Sequence, residues 1–203
     1  MVTNATEPRP TRSRLAAPER RALIEAAAAR LFAERGFQAT TVEQIVAAAG
    51  VSKPMLYRHF ESKLDLATRM MERRRDELAA APLDAFIGSG EGPRSLAAML
   101  DAWFAHVEEH PDSSRLLFQD VTGEEQLRGL QQELRARQRA ADVALLRELV
   151  PGLPEEQLEP LGEIIRSSLT GLALWWLANP GVPRRVVSDA MLRVTRGLVV
   201  TPS

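Results

Sequence analysis

The segment Lys53-Pro54-Met55-Leu56-Tyr57-Arg58-His59 concentrates side chains that can grip a polyanion. In a helix, Lys53 and Tyr57 share one face and Pro54 and Arg58 an adjoining one, while Leu56 and Phe60 turn together toward a core. The outer face carries no carboxylate before Glu61. A cation at Lys53 suits a phosphate or a guanine edge, and Pro54 and Met55 suit a thymine methyl. Tyr57, His59 and Lys63 suit phosphate oxygens, which fix register without reading sequence.

The residues before this segment supply the elements that must position it. Leu23, Ile24, Ala27, Ala28, Leu31 and Phe32 recur at helical spacing, so a first helix is expected from Pro18 to Arg35, stopped by Gly36. Thr40 and Thr41 open a second, with Val42, Ile45, Val46 and Ala49 on one face. Thr40 with Glu43 three residues on fits a capping box, and Gly50 ends the helix. Val51 and Ser52 make the turn, with Ser52 expected to cap a third short helix. Helices of about 18, 8 and 7 residues, the last two joined by a tight glycine turn, describe a helix-turn-helix whose final helix enters the major groove. The free N–H groups of the helices opening at Thr40 and Ser62 add partial positive charge beside it.

The run from Thr40 to Lys63 resembles the DNA-binding domain of the TetR family of transcriptional regulators. Gly50-Val51-Ser52, Leu56-Tyr57, His59-Phe60 and Lys63 stand at the family's spacing, preceded by Phe32, Gly36 and Thr40-Thr41 as they are there. The resemblance covers residues 15 to 65. It implies a homodimer that binds a palindromic operator in double-stranded DNA, usually as a repressor, and releases it when a small molecule enters the C-terminal half. Two positions depart from the family pattern. Pro54 stands where glycine is common, and Glu43 lies near a position that some members fill with a basic base-reading residue. The candidate DNA contacts are thus Thr40, Thr41, Ser52, Lys53, Pro54, Met55, Tyr57, Arg58, His59 and Lys63. A helical binding protein that has lost DNA binding is the alternative from another class.

Helical periodicity continues to the C-terminus, and no run alternates long enough to insist on a strand, so the chain is expected to be all-α. Residues 1–14 read as a flexible basic arm, 15–65 as the helix-turn-helix domain and 66–203 as an effector-binding and dimerisation domain. A fourth helix opens at Ser62 and is expected to stop near Pro82, with a loop over Phe86 to Pro93. A fifth ends before Pro111, a sixth covers about Arg115 to Asp120, and a long seventh ends at Pro151 and Pro154. The last two are expected over Glu155 to Ala178 and Pro183 to Val199. Met99, Trp103, Phe104, Phe118, Trp175 and Trp176 are bulky enough to line an apolar cavity, with most weight on Trp103 and Trp175, and few charges fall near them. An apolar or aromatic effector is therefore expected. The eighth helix is apolar on two faces, so Ile164, Ser168 and Gly171 are expected to meet a partner subunit together with Val187, Met191 and Val194 of the ninth.

The formal net charge of −1 conceals an uneven distribution. Residues 1 to 60 hold nine basic and five acidic side chains, and the rest hold 17 and 22. A basic reader on an acidic body suits DNA, with the polarity aiming one end at phosphate. The absence of cysteine excludes disulfides, thiolate metal sites and cysteine nucleophiles. No apolar run approaches the roughly 20 residues of a membrane span, and no signal peptide is evident, so a cytoplasmic location is expected. No phosphate-cradling loop or catalytic constellation indicates an enzyme, and no cofactor or metal is expected. His106 and His110 have the i, i+4 spacing of a two-histidine metal face but lack a third ligand in sequence, so a polar helix end or an effector contact is preferred.

Overall fold

The computed structural model describes residues 16–88, 93–119 and 125–199, and the expected arm lies outside them. Among the described residues every regular element is a helix: α1 (Ala17–Arg35), α2 (Val42–Ala49), α3 (Lys53–Tyr57), α4 (Lys63–Gly88), α5 (Pro93–Glu109), α6 (Pro111–Phe118), α7 (Glu125–Leu149), α8 (Glu155–Leu177) and α9 (Arg184–Val199). No helix among them is long and apolar enough to cross a membrane.

The first three helices close around Ile24, Phe32, Ile45, Leu56 and Phe60, all nearly inaccessible to solvent. The turns that make this possible are specific. Gly50 adopts the left-handed conformation at φ 66°, which lets the chain reverse between α2 and α3 without a Cβ penalty. The cap of α2 lies one residue later than the sequence suggests. Thr41 accepts from the Gln44 N–H at 3.2 Å, and the Gln44 side chain accepts from the Thr41 N–H at 2.9 Å. Thr40 is unavailable because its buried hydroxyl donates inward to the carbonyls of Gly36 at 2.9 Å and Leu31 at 3.2 Å. Ser52 makes no side-chain cap to α3, which is shorter than expected.

Helix α4 belongs to both halves. At its start Ser62 Oγ accepts from the Asp65 N–H, and the helix runs on through Pro82 to Gly88 instead of stopping. Pro82 removes the hydrogen bond that the Leu78 carbonyl would otherwise accept. Its ring is buried, however, and close packing of α4 along α5 holds the helix on course. The apolar core is continuous from the helix-turn-helix into the larger half, joining Ile24 and Phe32 to Leu66, Met70, Phe104 and Trp176. A second, smaller cluster of Leu146, Val150, Leu158 and Leu161 ties α7 to α8. Helix α1 packs on α2, α4 and α6, so the junction between the halves is a packed contact.

The polar anchor of that junction is Glu25, whose side chain is fully inaccessible. Its carboxylate accepts from Arg21 Nε at 2.9 Å on its own helix and pairs with Arg73 of α4. A buried carboxylate survives only when its charge is met by such partners. Replacing it leaves arginines that can still reach water, being 40% and 35% exposed, so the cost is screened. Glu25→Gln is expected to lower the unfolding free energy by about 1–2 kcal/mol, measured by urea denaturation with the slope unchanged.

Candidate nucleic-acid interface and interior cavity

Around α3 the sequence-predicted residues separate into two groups. Ser52, Lys53, Pro54, Tyr57 and Arg58 are exposed, and so is Thr41 at the start of α2. Pro54 sits in the first turn of α3, where a missing N–H costs nothing. Met55 is half-buried, with Arg20 Nη1 at 3.9 Å from its sulfur, and His59 is half-buried beside the Phe60 ring. These can shape the edge of a contact surface.

Thr40 and Lys63 serve the interior instead. Thr40 is wholly buried and cannot reach a ligand outside the domain. Lys63 donates from Nζ to the carbonyls of Phe37 and Thr40, both at 2.8 Å, and its ammonium lies 4.2 Å from the centre of the Phe37 ring. It therefore fastens the loop between α1 and α2 to the start of α4. Both corrections share a cause: a loop buried against α4 carries polar backbone groups that need partners.

Lys53 Nζ lies 2.6 Å from Glu43 Oε1 on α2. This hydrogen bond holds the Glu43 carboxyl below its usual range and raises the Lys53 ammonium. Both groups are open to solvent, so the pair is weak and a phosphate can compete for the lysine.

Behind this domain lies a cavity of about 620 Å³, lined by residues of α4 to α9. That volume falls within the roughly 300–1,000 Å³ usual for small-molecule sites. Of the expected pocket residues, Met99, Trp103 and Phe118 line it, and the Trp103 and Phe118 rings stack at 5.6 Å. Phe104 and Trp176 do not. They pack edge to face at 5.8 Å inside the core, where Trp176 donates to the Val182 carbonyl at 2.7 Å. Trp175 is 51% exposed on the opposite side of α8. The indole surfaces separate because Trp175 and Trp176 are consecutive, and helical neighbours point about 100° apart.

Trp175 completes an outer stripe with Ile164, Ser168 and Gly171, of which Ile164 is 48% exposed. On α9 the outward apolar residues are Val186 and Val194. Val187 and Met191, expected at the same surface, are instead buried at 1% exposure and fill the subunit's own core. Of the three residues expected outward on α9, Val194 is exposed and the other two are not, because the helix carries two apolar stripes of the same period.

The cavity is also more charged than the sequence suggests. Arg75 of α4, Gln138 and Asp142 of α7, and Arg166 of α8 line it among leucines. Asp142 Oδ1 accepts from Gln138 at 2.8 Å, and its Oδ2 lies 3.3 Å from Arg166 Nε. Burial pushes the Asp142 carboxyl up and the Arg75 guanidinium down. The sequence signal for these residues was the run Arg73-Arg74-Arg75, since three successive arginines on a helix must face three directions. Arg73 meets Glu25, Arg74 meets Glu77 at 2.7 Å and the His110 ring at 3.2 Å, and Arg75 enters the cavity wall.

The same fold brings Glu77 to His106 and His110, with ligand atoms of all three within 4.8 Å of one another. This supplies the third group missing from the sequence pattern. The Arg74 guanidinium already bonds Glu77 and His110 and so provides positive charge to the cluster. Burial holds both imidazoles below their usual pKa, with the neighbouring Arg74 acting in the same direction.

Comparison with known proteins agrees with this arrangement. Residues 24–70 match the family model for bacterial regulatory proteins of the tetR family, and residues 93–198 match the tetracyclin repressor-like C-terminal domain. The chain is 35% identical over 108 residues to the HTH-type transcriptional activator FasR of Mycolicibacterium smegmatis, covering 53% of this chain and 49% of that protein. It is 35% identical over 98 residues to the HTH-type transcriptional repressor KstR2 of Mycobacterium tuberculosis, covering 48% of each. It thus spans about half the length of these curated relatives. Among solved structures, a TetR-like transcriptional regulator from Rhodococcus sp. RHA1 superimposes with a TM-score of 0.72 at 26% identity, covering 93% of this chain and all of that one. The ketosteroid transcriptional regulator KstR2 of Mycobacterium tuberculosis does so with 0.68 at 25%, covering 90% and 96%. With a reading head before α4 and a helical cavity domain beyond it, both matched by the family's models, the chain belongs to the tetR family of bacterial regulatory proteins.

Proposed function

We propose that this regulator is a homodimeric repressor that binds a palindromic operator and is released by a small molecule in the cavity. The observation that carries this reading is that one helix, α4, both lines the cavity and clasps the reading head through Arg73 and Glu25. Residues 15–65 read DNA, with Lys53, Pro54 and Met55 at the bases and Thr41, Ser52, Tyr57, Arg58 and His59 at the backbone. Residues 66–203 sense the effector and dimerise, and the basic segment 1–14 adds diffuse attraction to DNA in the cytoplasm. A second copy covers the outer faces of α8 and α9, where Ile164, Trp175, Val186 and Val194 are each close to half exposed. The effector stabilises a dimer whose recognition helices no longer match the ~34–36 Å between successive major grooves.

An activator is the second reading, favoured by the name of the FasR relative, while the KstR2 relative is named a repressor. A transcription assay on the bound promoter separates them by the sign of the change on deleting the protein.

A mobility shift against DNA upstream of the protein's own coding sequence is expected to be sequence-selective and salt-sensitive. Lys53→Ala costs about 1–3 kcal/mol of binding and relaxes selectivity at one operator position, while Tyr57→Ala weakens binding to all sequences alike. Loss of selectivity in the wild type contradicts the reading. Glu43→Gln, which frees Lys53, strengthens binding at low salt by roughly two- to fivefold, a gain that shrinks as salt rises. Trp175→Arg yields monomers in sedimentation analysis and weakens operator binding, while its circular dichroism remains that of the folded chain.

A further inference from the structure

Among the described residues, the cavity wall holds a cation, Arg75, that no neighbouring side chain balances. Arg166 is met by Asp142 and by Glu163, and both oxygens of Asp142 are engaged, one by Gln138 and one by Arg166. Arg75 makes no hydrogen bond or ion pair with any described residue, and its Nε is buried without a partner. Asp142 acts on it only at longer range, and Arg135 and Arg166 add like charge. A guanidinium this deeply placed is costly without a counter-charge, and its planar fork matches an oxyanion bidentately. The opposite polarity does not fit: a cationic ligand would have to take Asp142 from two partners it already has.

Apart from Thr170, Thr195 and Arg196, the rest of the wall is apolar. Trp103 and Phe118 present stacked rings, while Leu78, Leu145 and Leu169 add aliphatic surface. A ligand suited to both features has an apolar body and a single anionic end. This revises the sequence expectation of a purely apolar or aromatic effector.

We infer that the cavity takes an amphipathic oxyanion, its carboxylate or phosphate head paired with Arg75 and its apolar body against Trp103 and Phe118. The inference rests on the reading of the cavity as the effector site. The head would then sit on α4 two residues from Arg73, which grips Glu25 of the reading domain. Contact at Arg75 acts directly on the helix that carries that domain.

The test uses the full chain and compares decanoate, decyl phosphate and methyl decanoate by isothermal titration, with the fluorescence of the three tryptophans, of which Trp103 lines the cavity, as a second readout. Either anion is expected to bind at least about tenfold tighter than the uncharged ester, and the tighter of the two identifies the head group. Arg75→Met should remove that preference while leaving ester binding within about twofold, and Arg75→Lys should restore part of it. The Lys variant and a thermal melt guard against a variant that merely fails to fold. Equal binding of acid, phosphate and ester overturns the inference but leaves the effector cavity standing. Loss of ester binding as well in a folded Arg75→Met also overturns it, assigning Arg75 to cavity shape. No binding of any of the three, with selective operator binding intact, overturns both the inference and the effector reading of this cavity.

Discussion

A single buried carboxylate sets how the two halves of this regulator meet. Glu25 sits on α1, inside the reading head, yet its charge is met partly from α4 by Arg73. Because a buried carboxylate cannot be left alone, the orientation of α1 against α4 is constrained by more than non-directional apolar packing. Around this pair the core runs without a break from Ile24 to Trp176. The head is thus attached as part of a packed body, and a rotation of α4 must carry it.

Helix α4 concentrates three different duties on three successive arginines. Arg73 looks to the head, Arg74 to the Glu77 and histidine cluster beside α5 and α6, and Arg75 to the cavity. The 100° step of a helix separates these directions within one turn. In the proposed mechanism, coupling between ligand and DNA needs no long chain of intermediates, because Arg75 in the cavity wall and Arg73 against the head lie on the same helix.

The helix-turn-helix was legible because its signals are local. Gly50 needs a positive φ, Leu56 and Phe60 need a core, and the outward residues between them are left for a ligand. What the sequence missed depends on tertiary context. Thr40 and Thr41 are equally good caps until burial draws the first hydroxyl inward. Pro82 ends an isolated helix but not one held along α5. On α9, Val186 and Val187 are chemically alike and one step apart, so only packing decides which faces inward. The cavity charges escaped for a similar reason, since Arg75, Asp142 and Arg166 converge from three helices far apart in sequence.

Release of DNA by the proposed mechanism requires the head to move with α4. The chain's lack of cysteine makes one direct measurement clean, because Glu34→Cys places a single spin label per subunit on the exposed side of α1, away from the expected DNA contacts. Pulsed dipolar spectroscopy on the proposed dimer then reports the separation of the two reading heads. With operator DNA the account predicts one narrow distance. A saturating ligand that releases the DNA should shift that distance by several ångströms, of the size that breaks the match to successive major grooves. An unchanged distribution in the ligand-bound, DNA-free protein would contradict the claim that α4 carries the head between two arrangements.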